Sequence, residues 1–144
     1  MRIVIDTNIV FSALLKKNSK ELQIIKSGNY DFYLCQFTTL ELFKHKEKIV
    51  KISKLEFEEI LEAYQLILSS VYIINEKEIP KEIISEAKEI CREIDINDTI
   101  FVASSIFLNS FLWTGDKKLE IGLLNKKFVK IIKTSELLKE DLIN

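Results

Sequence analysis

Four acidic residues stand beside short apolar segments, at positions where their carboxylates could meet in a folded chain. They are Asp6, Glu41, Asp98 and Asp116. A cluster of carboxylates without histidine or cysteine offers only oxygen ligands, which suit Mg²⁺ or Mn²⁺ better than Zn²⁺. Such an ion can neutralise a phosphate and lower the pKa of a bound water. These residue types therefore indicate metal-assisted phosphoryl chemistry.

Each acid also has a structural explanation when it is considered by itself. Asp6 could be a helix N-cap, and Glu41 could complete a capping box with Thr38. Asp98 could be an acid favoured by a helix dipole, and Asp116 could be a turn residue. These separate explanations are less satisfactory if the four carboxylates lie close together, because two like charges about 4 Å apart repel by roughly 4 kcal/mol at an effective dielectric near 20. A cluster of all four is costly unless a cation is bound.

The elements that must position these acids are predicted from hydrophobic patterning. Short β-branched and aromatic segments predict five strands, at Arg2–Ile5, Asp31–Cys35, Val71–Ile74, Phe111–Thr114 and Phe128–Ile132. Because helical patterns separate the strands, we expect parallel βαβ units with right-handed crossovers and helices on both faces of the sheet. In such a sheet the four acids lie at the same edge, beyond the carboxyl ends of the strands.

Helix boundaries are predicted from capping residues and apolar periodicity. Three helices are expected with both ends defined: from Asp6 to Leu15, from Ser19 to Ser27 with Gly28 as a left-handed C-cap, and from Pro80 at a first helical position to about Arg92. Four more are predicted from their starts alone. Two of these begin at capping boxes, Thr38/Glu41 and Ser53/Glu56, and two begin at single caps, one at Asn97 or Asp95 and one at Ser135.

Composition limits the protein class. The 144 residues are 47% hydrophobic, which fits one compact domain over residues 1–144. The net charge of −1 and the pI near 6.0 give no global positive field for nucleic acid. Cys35 and Cys91 lack metal-ligand spacing and are expected to be free, buried thiols. With no signal peptide pattern and no apolar run near the ~20 residues of a membrane-spanning helix, the protein is expected in the cytoplasm, without a membrane partner.

Four segments in order resemble the PIN-domain ribonucleases, a family that includes the toxins of prokaryotic toxin–antitoxin pairs. They are Ile5-Asp6-Thr7-Asn8, Thr39-Leu40-Glu41-Leu42, the segment from Asp95 to Ala103, and the segment from Leu112 to Leu119. The resemblance implies an α/β fold, a three-layer α/β/α sandwich around a five-stranded parallel sheet of order 3-2-1-4-5. It also implies that Asp6, Glu41, Asp98 and Asp116 are the catalytic, metal-binding acids. Asn8 and Thr114 would give polar support, and Asp95 matches an acid of some branches.

The same resemblance implies a function. The chain would be an Mg²⁺- or Mn²⁺-dependent endoribonuclease that cleaves RNA with a metal-activated water. It would pair with a small antitoxin protein and form a homodimer, for which the apolar helices from Ser53 to Leu68 and from Pro80 to Arg92 are candidates. An RNA-processing role or a non-catalytic module that binds RNA or protein is the alternative.

The sequence gives weaker indications of which residues would contact the RNA. Surface lysines could contact RNA phosphates, namely Lys16, Lys17, Lys44, Lys117 and Lys118, although a solvated surface lysine is the more expected role for any one of them. The lone His45 is expected to face solvent among lysines, and the aromatic residues, Trp113 included, are expected in the core.

Other enzyme classes fit the motifs less well. A phosphatase of the haloacid-dehalogenase type needs a second aspartate two residues after the first, where this chain has Asn8. A receiver-type phosphoacceptor module needs an acidic pair before its accepting aspartate, and none precedes Asp6. A non-catalytic module is typically marked by loss of the acids, whereas all four are present. A metal-dependent nuclease is therefore the favoured interpretation.

Overall fold

The computed structural model describes residues 1–143, and it describes side chains as far as residue 139. The strands of this part of the chain form a five-stranded sheet of order β3-β2-β1-β4-β5 in which every neighbouring pair is parallel. They are β1 (Arg2–Ile5), β2 (Asp31–Cys35), β3 (Tyr72–Ile74), β4 (Phe111–Trp113) and β5 (Ile131–Ile132). The predicted fold class and strand order are confirmed.

Helices cover both faces of the sheet. They are α1 (Thr7–Leu14), α2 (Lys20–Lys26), α3 (Gln36–Lys44), α4 (Lys46–Ser53), α5 (Phe57–Ser69), α6 (Lys81–Cys91), α7 (Thr99–Leu108), α8 (Lys117–Asn125) and α9 (Thr134–Ile143), with 3₁₀ turns at Glu76–Glu78 and Ile96–Asp98. Across residues 1–143, no helix is both long enough and apolar enough to cross a membrane.

Alternation along the strands creates two cores. Ile3 and Ile5 of β1 pack on one face of the sheet with helices α1, α2 and α5, while Val4 packs on the other face with α6, α7 and α8. Trp113 is fully buried in the first core, and its indole N–H donates to Thr134 Oγ1 at 3.0 Å. The aromatic residue is therefore part of the core, as predicted. Both cysteines are free and buried, which also agrees with the sequence.

Three strands are shorter than predicted. Val71 and Thr114 lie outside β3 and β4, and β5 is reduced to the two residues that pair with Leu112 and Trp113. Thr114 leaves the strand because its side chain and neighbouring backbone are engaged with the acidic residues at the sheet edge. Strand β5 is the last strand of the sheet and pairs only with β4, so its length is limited to the residues that reach β4.

Several predicted helix starts were wrong. Helix α3 begins directly after β2, so Thr38 lies inside it and does not form a capping box with Glu41. The next capping box joins Glu56 and Glu59, not Ser53 and Glu56, because Ser53 still belongs to α4.

Two other helix starts shift by one or two positions. Pro80 is the N-cap of α6 and not its first residue, a shift of one position, whereas the helix predicted to follow a Ser135 cap starts at Thr134, two positions earlier than that cap implies. Gly28 follows α2 with φ +74°, the left-handed conformation that was predicted for it.

Candidate active site

A cavity of about 340 Å³ opens at the carboxyl ends of β1 and β4. It brings together the four predicted acids and also Asp95 and Asn8. Its lining residues are Asp6, Thr7, Asn8, Phe11, Glu41, Leu42, His45, Lys48, Asp95, Asn97, Asp98, Phe101 and Asp116. We call this the acidic cavity. The parallel sheet explains its position, because the residues that follow β1 and β4 must emerge at the same edge.

Asp6 is the most deeply buried acid of the acidic cavity, with 2% of its surface exposed. Thr114 Oγ1 donates to its Oδ2 at 2.7 Å, and the backbone N–H of Asn8 donates to its Oδ1 at 3.3 Å. Burial raises the pKa of Asp6, the two hydrogen bonds oppose this shift, and the charges of Asp116 and Glu41 add to it. Asp6 is therefore an N-cap, as its structural explanation proposed, and also a carboxylate that is electrostatically coupled to the other acids.

Asp116 is connected to Asp6 through Thr114. The backbone N–H of Asp116 donates to Thr114 Oγ1 at 3.1 Å, while the same hydroxyl donates to Asp6. Asp116 Oδ1 accepts from the backbone N–H of Leu119 at 3.1 Å and so caps α8. The polar support predicted for Thr114 thus corresponds to direct contacts with both aspartates.

Glu41 is oriented by Thr7, which in turn contacts Thr38. Thr7 Oγ1 donates to Glu41 Oε1 at 2.7 Å and lies 3.0 Å from Thr38 Oγ1. The N-cap of α3 is Cys35, which provides no side-chain cap. Instead, Glu76 Oε1 accepts from the backbone N–H of Phe37 at 2.7 Å. A remote carboxylate therefore stabilises the start of the helix that carries Glu41.

Asp98 differs from the other acids because no capping role accounts for it. It occupies the N-cap position of α7 without a side-chain cap bond. Burial raises its pKa to about 7, and the charges of Asp6, Asp95, Asp116 and Glu41 contribute further. The helix-dipole explanation predicts the opposite shift, so the repulsion among carboxylates and their burial outweigh the dipole here.

Asp95 and Asn8 have smaller local roles. Asp95 Oδ1 accepts from the backbone N–H of Asn97 at 2.9 Å and caps the 3₁₀ turn before α7. Both Asp95 and Asn8 are exposed at the mouth of the acidic cavity. Asn8 holds Asp6 through its backbone, and its side chain lines the opening.

Sequence reasoning missed three residues that line the same cavity, namely Phe11, His45 and Lys48. His45 is exposed, as predicted, but it lies at the acidic cavity. None of the five lysines proposed for phosphate contact lines the cavity, and Lys17 pairs with Glu59 at 2.9 Å. A partial signal existed, since His45 and Lys48 follow Glu41 by four and seven residues, a spacing that would keep the side chains on one face if a single helix ran through them.

The donor chemistry of the acidic cavity fits a hard divalent cation. The acids supply only oxygen ligands, and both burial and the charges of the neighbouring carboxylates raise the pKa of Asp98, an environment that a bound cation would relieve. In the part of the chain that the structure describes, however, no three His, Cys, Asp or Glu side chains are already arranged to hold a metal ion. The residues therefore fit such an ion in the type of ligand that they supply.

Comparison with known proteins agrees with this architecture. A solved structure of VapBC2 from Rickettsia felis, bound to a DNA fragment from their promoter, superimposes with a TM-score of 0.64 at 19% identity, covering 92% of this chain and 97% of that one. No curated protein matches the sequence. The PIN domain family profile matches residues 4–138, nearly the whole chain. This chain is therefore a member of the PIN domain family.

Proposed function

We propose that the chain is a metal-dependent endoribonuclease that acts as the toxin of a toxin–antitoxin pair. The observation that carries the proposal is Asp98, an acid with no capping bond whose pKa is raised to about 7 by burial and by four neighbouring carboxylates. A cluster of this kind is destabilising without a cation and favours binding of one.

Asp6, Glu41, Asp98 and Asp116 are the proposed ligands of Mg²⁺ or Mn²⁺. When bound, such an ion supplies positive charge for the scissile phosphate and a water of lowered pKa. Thr114 orients Asp6 and holds the backbone of Asp116, and Thr7 orients Glu41. The raised pKa of Asp98, about 7, favours its protonated form more than that of an ordinary aspartate, and a bound cation would favour the ionised carboxylate instead.

Cleavage of single-stranded RNA tests this proposal. We expect purified protein to cut RNA with Mg²⁺ or Mn²⁺, to leave a 5′-phosphate and a 3′-hydroxyl as the family resemblance implies, and to lose activity in EDTA. Asp116→Asn should reduce cleavage by at least about 100-fold, the upper end of what loss of a ligand-orienting group costs. Asp31→Asn is the matched control, because Asp31 is the first residue of β2 and so lies at the amino ends of the strands, opposite the acidic cavity. Equal cleavage with and without EDTA would contradict the metal mechanism.

The antitoxin is the proposed protein partner. The similar solved structure is described as VapBC2 with promoter DNA, and the family resemblance implies a small antitoxin for this chain. We expect the small protein encoded immediately upstream to copurify with the chain and to inhibit RNA cleavage at equal molar ratio. Cleavage that continues in the presence of that protein would contradict the pairing.

A homodimer is the proposed assembly. Helix α5 exposes four large apolar side chains, Phe57, Leu61, Leu66 and Leu68, whereas the isoleucines of α6 pack against the core. The surface of α5 therefore supports self-association better than that of α6. Light scattering should give twice the monomer mass, and a monomer at all concentrations would refute the dimer.

A non-catalytic PIN module that binds RNA or protein is the second candidate. It is favoured by the absence, among the described residues, of three metal-binding side chains already arranged around one point. RNA binding that survives EDTA, together with no cleavage under any divalent cation, would select this candidate.

A further inference from the structure

We infer that Lys48 and His45 form a phosphate-binding subsite for single-stranded RNA beside the acidic cavity, with Phe11 positioning the lysine. This inference rests on the proposed ribonuclease function and adds where the strand is held next to the reacting phosphate. The three side chains line the same cavity as the acids, on the side formed by α1 and the junction of α3 and α4.

The junction between α3 and α4 is firmly connected to Glu41. The backbone N–H of His45 donates to the carbonyl oxygens of Glu41 and Leu42, at 3.2 Å each, and His45 O accepts from the N–H of Ile49. His45 therefore ends one helix and begins the next without a flexible linker. A ligand held by His45 and Lys48 would lie at a defined position relative to the acids.

Lys48 is a cation available for an anionic ligand. Four basic side chains of the described residues form ion pairs with carboxylates, namely Lys17, Arg92, Lys126 and Lys133. Lys48 forms no ion pair within residues 1–139, although five carboxylates line the same cavity. Its Nζ lies 5.9 Å from the centroid of the Phe11 ring. The ring keeps the ammonium at the cavity wall without neutralising its charge.

The chemistry of an RNA strand explains why this arrangement is useful. Each nucleotide carries a phosphate, so a strand with one phosphate at the carboxylates brings the next one to a neighbouring part of the surface. Carboxylates repel that second phosphate, whereas Lys48 and His45 are the basic side chains among the described residues of the cavity lining and can hold it. The subsite therefore serves a polynucleotide, not an isolated phosphate.

Lys46 provides a matched control. It lies in α4 two residues before Lys48, and its Nζ lies 5.0 Å from the centroid of the Phe43 ring, so it makes the same type of cation–π contact. Lys46 lines a different pocket, whose walls are almost entirely apolar. Lys46→Gln removes the same charge from the same helix without touching the acidic cavity.

The experiment measures dissociation constants for labelled single-stranded RNA at several salt concentrations with Mn²⁺, in an Asp116→Asn background that prevents cleavage. Loss of one phosphate contact should lower the slope of log affinity against log salt by about 0.7 and weaken binding roughly fivefold near 0.1 M salt. We expect this from Lys48→Gln, a smaller weakening from His45→Ala, and no change from Lys46→Gln. In the active background, Lys48→Gln should raise KM and leave kcat and the melting temperature unchanged.

The outcomes separate this inference from the proposed function. If the Asp116→Asn parent binds RNA and Lys48→Gln behaves like Lys46→Gln, the subsite is wrong and the ribonuclease proposal stands. If wild type cleaves no RNA and the Asp116→Asn parent binds none, the proposed function fails and the subsite fails with it.

Discussion

Helix α3 separates two cavities of opposite chemistry. On one side lies the acidic cavity, and on the other lies an apolar groove of about 220 Å³ between α3, α4 and α5, lined by residues such as Phe43, Ile60 and Leu61. Leu42 contributes to both. The groove is a surface where burial of side chains stabilises the fold, whereas the acidic cavity gathers like charges whose repulsion opposes it. Substitutions in the apolar groove should therefore lower stability, and substitutions in the acidic cavity should change the response to metal.

The largest effect on stability is expected in the apolar groove. Ile60 is 7% exposed and belongs to the core beneath the groove, so Ile60→Ala should lower the free energy of unfolding by roughly 2 to 4 kcal/mol through lost burial and a residual void. Its gain in melting temperature from Mn²⁺ should remain that of wild type. Leu61→Ala, at a neighbouring position that is 45% exposed, is the control and should cost much less. A lost Mn²⁺ response in Ile60→Ala would show that the two regions are not independent.

In the metal-free protein, the acidic cavity should produce the next largest effect on stability, as a dependence on pH. The folded pKa of Asp98 is about 7, above its ordinary value of 3.8. Between these values the native state binds more protons than the unfolded state, so the metal-free protein should lose stability as pH rises from about 4 to 7 and change little above that. The loss should be on the order of 1 to 2 kcal/mol, reduced from the full shift because the carboxylate is partly open to solvent.

Urea unfolding in EDTA at pH 5, 6 and 7.5 measures this pH dependence. Asp98→Asn should show a flatter pH profile than wild type, because the asparagine cannot titrate. Identical profiles for the two proteins would mean that Asp98 is not coupled to the other acids. Ile60→Ala should keep the wild-type slope at a lower overall stability.

A smaller effect is expected where the two regions are joined, at the start of α3. Glu76→Ala removes the acceptor for the backbone N–H of Phe37 and should cost about 1 kcal/mol, as loss of a helix cap does. RNA cleavage should also fall, because α3 carries Glu41. Glu78→Ala is the control from the same 3₁₀ turn, and it should change stability by less than about 0.5 kcal/mol. Equal effects of the two substitutions would refute the capping role of Glu76.

The strands and the position of the acids were predictable because they depend on local patterns, whereas the strand order was implied by the family resemblance. Arg2–Ile5 and Asp6 form a strand and its exit in any parallel α/β arrangement, and the same reasoning applies to Asp116. The start of α3 was not predictable, because its cap comes from Glu76, which is distant in sequence. The Ser53/Glu56 box was misplaced because Glu56 and Glu59 offer the same spacing three residues later.

The positions of His45 and Lys48 at the acidic cavity were also not predictable from the sequence. The spacing of Glu41, His45 and Lys48 places them on one helical face, but the sequence does not show that α3 and α4 continue each other's direction closely enough to preserve that face. Many exposed lysines have equivalent local surroundings. Only the packing of α4 against Phe11 distinguishes Lys48 from them.

The central claim is that four carboxylates form one shared metal site, and melting temperature in EDTA and in Mn²⁺ tests it most directly. At a hundredfold excess over its dissociation constant, Mn²⁺ should stabilise wild type and Asp31→Asn by about 2.7 kcal/mol, or roughly 10 °C. In EDTA, Asp98→Asn should melt at or above wild type because repulsion is relieved, and in Mn²⁺ both Asp98→Asn and Asp116→Asn should gain much less than wild type. If both variants keep the full Mn²⁺ shift, the shared metal site is wrong.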